Sequence, residues 1–252
     1  MGKSLLVRAY AEYMNWGGLP ESAGLPVKRN YLSSVFQKIY LGDICARNKI
    51  SNPAILRLMV KKISESIKQP ISYSRIAKVL AGMGGKISVP TISSYISFCE
   101  DAWLIFRVHN ICAAFSERES VCKYYFVDNG LISLMLVDAT TTLLENAVAV
   151  SLFRRYGHDE DNERVFFYHQ NVEVDFYIPE DELAIQVSYA VTTSEETCRR
   201  EVDALHKLPK ALACKHRLII TYDEEGTIED EYGTIHILPC WKWLLNCQQY
   251  PA

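Results

Sequence analysis

The sequence predicts a mixed α/β (α+β) protein built from two parts. In the first half, apolar residues recur every three to four positions, which is the period of amphipathic helices; in the second half, short apolar runs separated by polar turns predict strands. A chain of 252 residues is long enough for two domains of ordinary size. We therefore predict a helical domain over residues 1–138 and an α-β-β-β-α-β domain over residues 139–252.

The N-terminal third reads as a helical scaffold without a catalytic signature. Asn52 and Pro53 form a helix start, with an N-cap side chain followed by a first-turn proline. The predicted elements are a helix at 1–13, a loop at 16–26, and amphipathic helices at 28–49 and from 52 to about 69.

Residues from about 71 to 130 predict a winged helix-turn-helix. Ser72 and Ser88 are N-cap candidates for two helices, and the glycines from Gly82 to Gly85 interrupt the chain between them. The predicted helices run to about 80 and 101, and strands at 103–109 and 122–127 flank a polar tip at 116–120. Two helices around a glycine turn, followed by a hairpin, give this outline.

A winged helix has two functional interpretations, duplex binding and protein docking. For duplex binding, the candidates are Thr91, Ser93, Ser94 and Ser97 near the groove and Arg75, Lys78 and Lys86 near phosphates. Protein docking remains open because the second helix lacks the Arg, Lys, Asn or Gln residues that read base edges best. The net charge of −3 argues against a nucleic-acid binder that uses its whole surface.

The second half has the element order of a restriction-endonuclease-like core. The unbroken apolar run Leu218–Ile220 is typical of a strand covered on both faces. The predicted elements are a helix at 142–156, strands at 165–169, 172–178 and 183–189, a helix at 194–208, strands at 217–222 and 234–238, and a closing helix at 241–247.

Seven strings in order carry a family resemblance across nearly the whole chain. They are G-G-L-P-E from Gly17, L-G-D-I from Leu41, I-S-Y-S-R-I-A-K-V-L from Ile71, Y-I-S-F-C-E-D-A-W-L-I from Tyr95, Y-Y-F-V-D-N-G-L from Tyr124, L-L-E-N from Leu143 and E-V-D-F from Glu173. From about Gly17 onward, the chain resembles the C-terminal module of prokaryotic AAA-type ATPases, a domain of unknown function with a winged helix and a PD-(D/E)XK nuclease-like domain.

The resemblance implies four catalytic positions, at Glu145, Asp175, Gln186 and Ser188. Such nucleases hold a divalent cation with carboxylates and use a lysine near the phosphate. Glu145 and Asp175 keep their acids and would be the metal ligands if a site persists. Gln186 and Ser188 depart from the expected acid and lysine, so the resemblance implies a degenerate nuclease site.

Lysines elsewhere in the chain are candidates to replace the one expected at position 188. Lys123, Lys207 and Lys215 are candidates for a migrated lysine, although none has a spacing that recommends it. Arg199 and Arg200 lie on an acid-rich predicted helix and read as part of a solvated face.

The expected function is that of a binding module for nucleic acid or a protein partner, lacking cleavage activity. The alternatives are an active Mg²⁺-dependent nuclease on DNA or RNA and a protein-interaction and oligomerisation module. No cofactor is expected, and Mg²⁺ enters only if the nuclease site is functional. The ATPase domain implied by the resemblance is absent, and Gly82–Lys86 fails the spacing of a phosphate-binding loop, so no ATP site is expected in this chain.

Cysteine usage predicts a cytoplasmic protein. The eight cysteines are scattered without a C-x-x-C pair, which predicts free thiols in a reducing compartment and no zinc site. No signal peptide and no apolar run long enough for a bilayer is present, so no membrane partner is expected.

Overall fold

A computed structural model describes residues 3–85, 87–157 and 164–246. The chain divides into two compact units. The first unit comprises the residues up to Arg107 together with Glu119–Ala139, and the second comprises Val108–Arg118 together with the residues from Thr140 onward. The sequence places one boundary at 138/139, whereas the structure also assigns a short upstream segment to the second unit.

The first unit begins with helices that follow the predicted pattern, with one departure. They are α1 (Lys3–Trp16), a 3₁₀ turn (Pro20–Ser22), α2 (Lys28–Gln37), a π-helix (Lys38–Ala46) and α3 (Pro53–Ser64). The single helix predicted over 28–49 therefore changes its hydrogen-bond register after Gln37. Asn52 caps α3 as predicted, because its Oδ1 accepts from the N–H of Ile55 at 3.3 Å.

The predicted helix, turn and helix follow, and each serine cap is observed. Ser72 Oγ accepts from the N–H of Arg75 at 3.1 Å, and Ser88 Oγ accepts from the N–H of Thr91 at 3.2 Å. The elements are β1 (Ile71–Ser72), α4 (Tyr73–Gly82), α5 (Val89–Asp101), β2 (Ile105–Asn110), α6 (Phe115–Arg118) and β3 (Val121–Phe126). β1 pairs antiparallel with β3.

The tip between β2 and β3 differs from a free wing. The sequence predicts a polar tip at 116–120, but Val108–Arg118 belongs to the second unit. In that unit, the end of β2 pairs in parallel with the strand Phe166–His169, with His109 opposite Phe166. Hydrogen bonding of this segment to a sheet, which sequence spacing does not encode, accounts for the difference.

A buried aspartate joins three segments of the first unit. Asp128 caps the short helix α7 (Asn129–Ser133) by accepting from the N–H of Gly130 at 2.8 Å, and its second oxygen accepts from the N–H of Gly18 at 2.7 Å. Gly17 has φ +77°, and a Cβ there would lie 1.7 Å from Asp128 Oδ1. The glycine at 17 is therefore required by close approach to this carboxylate and by its positive φ.

The second unit contains the predicted α-β-β-β-α-β order and an added hairpin. Its elements are α8 (Thr140–Tyr156), β4 (Phe166–His169), β5 (Glu173–Ile178), β6 (Leu183–Val187), α9 (Glu195–His206), β7 (His216–Thr221), β8 (Gly226–Asp230), β9 (Gly233–Pro239) and α10 (Cys240–Asn246). The strand β8 was not predicted because its residues are mostly exposed and polar. Cys247, the predicted end of the last helix, lies outside the described residues.

The sheet of the second unit is mixed. Its strand order is the end of β2, then β4, β5, β6, β7, β9 and β8. The pairs β4–β5, β5–β6 and β8–β9 are antiparallel, whereas β6–β7 and β7–β9 are parallel. Every residue of β6 is buried, so both faces of this strand are covered, and α8 and α9 both pack against it. The predicted mixed α/β fold class is confirmed.

The helices of the described ranges do not include one that is both long enough and apolar enough to cross a membrane.

Replacing Asp128 with Ala should destabilise the first unit strongly. Two backbone N–H groups would lose a charged acceptor in a buried place, which predicts a loss of roughly 2–4 kcal/mol in the free energy of unfolding. Urea unfolding followed by circular dichroism measures the change. The exposed Asp43 provides the matched control, Asp43→Ala. Equal stability of the two variants would contradict the anchoring role of Asp128.

Candidate functional site

The candidate site lies where the β5–β6 ladder ends. Backbone pairing holds Phe176 opposite Ile185, and beyond that pair the side chains take over the hydrogen bonds. The N–H of Asp175 donates to Gln186 Oε1 at 2.9 Å, and the N–H of Val187 donates to Asp175 Oδ2 at 2.9 Å. The two side chains therefore replace the ladder at the positions that the sequence singled out.

The amide of Gln186 is engaged on both sides. Its Nε2 donates to the carbonyl oxygen of Glu173 at 3.2 Å and to Glu201 Oε2 at 2.9 Å, while its Oε1 accepts from Asp175. Gln186 is only 4% exposed, so these are interior contacts that water cannot readily replace. Two acceptors and one donor around the amide fix its orientation. Gln186 thus connects β5, β6 and α9.

An ion pair on α9 between the buried Glu201 and the exposed Arg200 completes the network. Glu201 is 5% exposed, and its Oε1 accepts from the Arg200 guanidinium at 2.6 Å. The hydrogen bond and charge of Glu201, together with the more weakly acting charge of Asp175, raise the pKa of Arg200. The site therefore contains the chain Arg200–Glu201–Gln186–Asp175.

Sequence reasoning missed Glu201, which it did not single out. Its placement of Arg200 on a solvated face is confirmed, because that side chain is 73% exposed. The signal was the helix period, because Cys198, Glu201, Leu205 and Leu208 fall at intervals of three and four, and the last two are core residues. A glutamate on the apolar stripe of a helix predicts a buried partner, because an unpaired buried carboxylate is costly.

A β-bulge lies beside Asp175. Phe166 is opposite Tyr177 and Tyr168 is opposite Val174, so β5 uses three residue steps where β4 uses two. The extra residue brings Val174 and Tyr177 into the same core cluster, which strict alternation would not allow. Strict alternation of side chains along β5 therefore does not hold next to Asp175.

Of the four predicted catalytic positions, Asp175 and Gln186 are joined by a direct hydrogen bond. Glu145 is 1% exposed within α8, the helix that packs against β6. Ser188 follows β6 and turns toward its own loop, because its hydroxyl donates to the carbonyl oxygen of Ala190 at 3.2 Å. The serine is therefore held by a local contact.

The three lysines that are candidates to replace the expected lysine have contacts or burial of their own. Lys215 pairs with Glu182 at 2.9 Å, and Glu182 precedes Gln186 by four strand positions, a span of roughly 13 Å. Lys207 pairs with Asp203 at 2.8 Å and lies seven residues beyond Arg200, about 10 Å along a helix axis. Lys123 is buried in β3 of the first unit.

The donor set does not fit a Mg²⁺ site. Mg²⁺ requires near-octahedral oxygen coordination, usually from carboxylates and water. Asp175 Oδ2 and Gln186 Oε1 already accept backbone hydrogen bonds. Within residues 3–85, 87–157 and 164–246, no three or more His, Cys, Asp or Glu side chains are grouped so that they could hold a metal ion.

The candidate nucleic-acid contacts lie on α4 and α5. Arg75 and Lys78 are exposed on α4. On α5 the Thr91 hydroxyl lies 2.7 Å from Ser88 Oγ, and the Ser94 hydroxyl donates to the carbonyl oxygen of Pro90 at 3.1 Å. Ser97 is exposed, Ser93 is half-buried, and Lys86 lies outside the described residues. Two of the four predicted groove hydroxyls are therefore in local hydrogen bonds.

Comparison with known proteins identifies a family. Residues 7–142 match the model described as Domain of unknown function (DUF8612). The chain belongs to this family. The part that matches the DUF8612 model contains α1 to α7 and the winged-helix elements, and it ends before the β5–β6 site.

Two curated relatives are longer than this DUF8612 chain. An uncharacterized protein of Methanocaldococcus jannaschii is 31% identical over 255 residues, covering 97% of the chain and 57% of that protein. An uncharacterized protein of Haemophilus influenzae is 28% identical over 199 residues, covering 77% of the chain and 48% of that protein. The chain thus spans about half the length of the curated relatives it matches. No solved structure matches it.

Replacing Gln186 with Glu should destabilise the protein in a pH-dependent way. The new carboxylate would face Glu201, and both amide hydrogen bonds would be lost, which predicts a loss of roughly 2–4 kcal/mol at neutral pH. Repulsion raises the folded-state pKa of one carboxyl above its unfolded value. Stability is then retained at low pH and lost as the pH rises through that raised pKa.

Urea unfolding at pH 5 and pH 8 tests this dependence, with the exposed Gln69→Glu as the control of equal charge. If Gln186→Glu loses no more stability than the control at pH 8, the Gln186–Glu201 contact does not have the importance assigned to it.

Proposed function

We propose that this chain is a binding module without catalytic activity, formed by a winged helix and a nuclease-like domain that has lost its cleavage chemistry. The observation that carries the proposal is the complete use of the Gln186 amide by Asp175, Glu173 and Glu201. A position that would supply a metal ligand in an active site serves here as a link between two strands and a helix.

The electrostatics of the site support the same conclusion. Phosphodiester cleavage requires positive charge at the developing negative charge of the phosphate. Ser188 supplies no positive charge. Glu201 and, more weakly, the charge of Asp175 raise the pKa of Arg200, but the guanidinium of Arg200 hydrogen-bonds to Glu201. One cation, Arg200, faces the two carboxylates of Glu201 and Asp175, so the network is net negative, which suits structural support better than catalysis on an anion.

We further propose that the module belongs to a longer AAA-type ATPase of the cytoplasm. The chain covers 57% and 48% of its two curated relatives, so each has room for another domain. The seven sequence strings that resemble the C-terminal modules of such ATPases support this arrangement. The seven free cysteines among the described residues fit a reducing compartment.

Duplex nucleic acid is the first candidate partner. Arg75 and Lys78 are exposed on α4, three residues apart, and can contact neighbouring phosphates. Because the hydroxyls of Thr91 and Ser94 make local hydrogen bonds, base reading through α5 would be weak. The expected binding is therefore dominated by the backbone, insensitive to sequence and sensitive to salt.

A protein partner or a second copy of the chain is the other candidate. Apolar side chains are exposed at both ends of α5, with Val89 at 42% and Trp103, just beyond the helix, at 65%. Exposed aromatic and apolar residues are typical anchors of protein interfaces.

The absence of cleavage is the first test. Labelled single- and double-stranded DNA and RNA incubated with Mg²⁺ or Mn²⁺ should remain intact, because the site lacks the charge and ligands that cleavage requires. Gel electrophoresis scores the products. The wild-type chain would be an active nuclease instead if it cleaved in the presence of metal and Asp175→Ala abolished this cleavage. The exposed control, Asp223→Ala, should then retain the cleavage.

DNA retention distinguishes the two candidate partners. Replacing Arg75 and Lys78 with Gln should weaken duplex binding by roughly tenfold at low salt, because two phosphate contacts are lost, while the preference among sequences stays unchanged. Fluorescence anisotropy with two unrelated duplexes measures both. Arg47→Gln with Lys68→Gln, at exposed positions of the same unit, is the matched control. Absence of retention at low salt would reject nucleic acid and favour the protein partner.

A further inference from the structure

A cavity in the first unit lies apart from both regions discussed so far. Its volume is ≈ 840 Å³, within the range of small-molecule sites. One wall is a face of α2 and the π-helix that follows, the second is a face of α3, and the remainder comes from Leu134 and Met135. All of these elements belong to the first unit.

Three cations line this cavity. They are Arg29 from α2 and Arg57 and Lys61 from α3, and among the residues that the structure describes no carboxylate side chain lines the cavity with them. Arg57 and Lys61 are four residues apart, so they lie on the same helix face and repel each other. Among the ion pairs of the described residues, none involves any of the three. Positive charge collected around a concavity without a counter-charge favours an anionic ligand.

The rest of the lining is apolar and aromatic. Phe36 and Tyr40 stack with ring centroids 5.6 Å apart, and Leu58 and Met135 add aliphatic surface. Gln37, which is exposed, supplies an amide that can both donate and accept. This combination suits a ligand with a flat, weakly polar ring attached to its anionic group.

The π-helix adds an independent indication. It begins at Lys38, and its residues Tyr40 and Leu41 line the cavity. Nine consecutive residues in this conformation are unusual, because π-helical turns occur mostly singly and frequently at functional sites. The register change turns Tyr40 toward α3, where its hydroxyl donates to the carbonyl oxygen of Pro53.

From this cavity we infer a binding site for a nucleotide 5′-phosphate, with Arg29, Arg57 and Lys61 at the phosphate and the aromatic and aliphatic wall at the ring. The site differs from a phosphate-binding glycine loop because the side chains of two helices form it, which is why a search for loop motifs does not find it. The same chemistry occurs in a free mononucleotide and in the 5′-phosphorylated end of a strand. An extended acidic peptide fits less well, because peptide and protein contacts usually cover a larger and flatter surface.

Isothermal titration of the full chain tests the site, with EDTA present to remove metal. We expect ATP and AMP to bind with one-to-one stoichiometry, and adenosine and inorganic tripolyphosphate each to bind at least about tenfold more weakly, because each lacks one half of the ligand. Tripolyphosphate binding as tightly as ATP, or an aspartate-rich peptide of equal charge binding more tightly, would overturn the inference. So would failure of both ATP and AMP to bind.

Variants locate the site. Arg57→Gln with Lys61→Gln should weaken AMP binding about tenfold or more, because charge-assisted contacts to the phosphate are lost. Arg47→Gln with Lys68→Gln removes one arginine and one lysine at exposed positions outside the cavity and should leave binding within about twofold. Equal weakening in the two double variants would show non-specific charge attraction and overturn the assignment.

Thermal unfolding keeps this comparison interpretable. Both replaced side chains are exposed, and their removal relieves repulsion, so the melting temperature of Arg57→Gln with Lys61→Gln should not fall below that of the wild type. If the melting temperature does fall, the variant Arg57→Lys provides a second test because it keeps the positive charge. This variant should retain most of the AMP binding, and loss of binding would contradict the site.

A 5′-phosphorylated oligonucleotide compared with its unphosphorylated form distinguishes the two sources of ligand. Preference for the phosphorylated oligonucleotide over AMP supports the inference with a strand end as the ligand. Preference for AMP supports it with a free nucleotide.

Discussion

The hydrogen bonds of the Gln186 side chain are the constraint on which the second unit depends. β5 and β6 lose their backbone pairing beyond Phe176 and Ile185, and unpaired N–H groups in a buried place are costly. Gln186 accepts one of them, from Asp175, and Asp175 accepts another, from Val187. The amide nitrogen of Gln186 donates to the Glu173 carbonyl oxygen on β5 and to Glu201 on α9, so one neutral side chain closes the end of the ladder and attaches the covering helix.

Under the proposed function, this arrangement accounts for a nuclease-like frame that persists without the reaction. A carboxylate at position 186 could not donate to Glu201, and the two acids would repel each other unless a cation lay between them. With an amide there, the same two strands and helix are held without a metal. Structural support and metal binding are therefore competing uses of one position, and in this chain the contacts favour support.

Local chemistry made most of the helices predictable. The N-caps Asn52, Ser72 and Ser88 were all readable because a cap involves residues only three positions apart. The predicted strands β4 to β7 were found to within two or three residues at their ends, since their apolar runs are short and bounded by polar turns. The π-helix was missed because its five-residue hydrogen bonds leave no clear mark on the apolar period.

The sequence by itself determined the mixed α/β class and most of the element order, because these follow from periodicity, capping and spacing along the chain. The family resemblance pointed to Asp175 and Gln186. The tertiary structure decided what those positions do. The bulge beside Asp175, the burial of Glu201 and the cations around the first-unit cavity depend on pairing and packing between segments distant in sequence. Hydrogen bonds between distant segments leave almost no local signal, so the folded chain is needed to show which side chains link the strands to the covering helix.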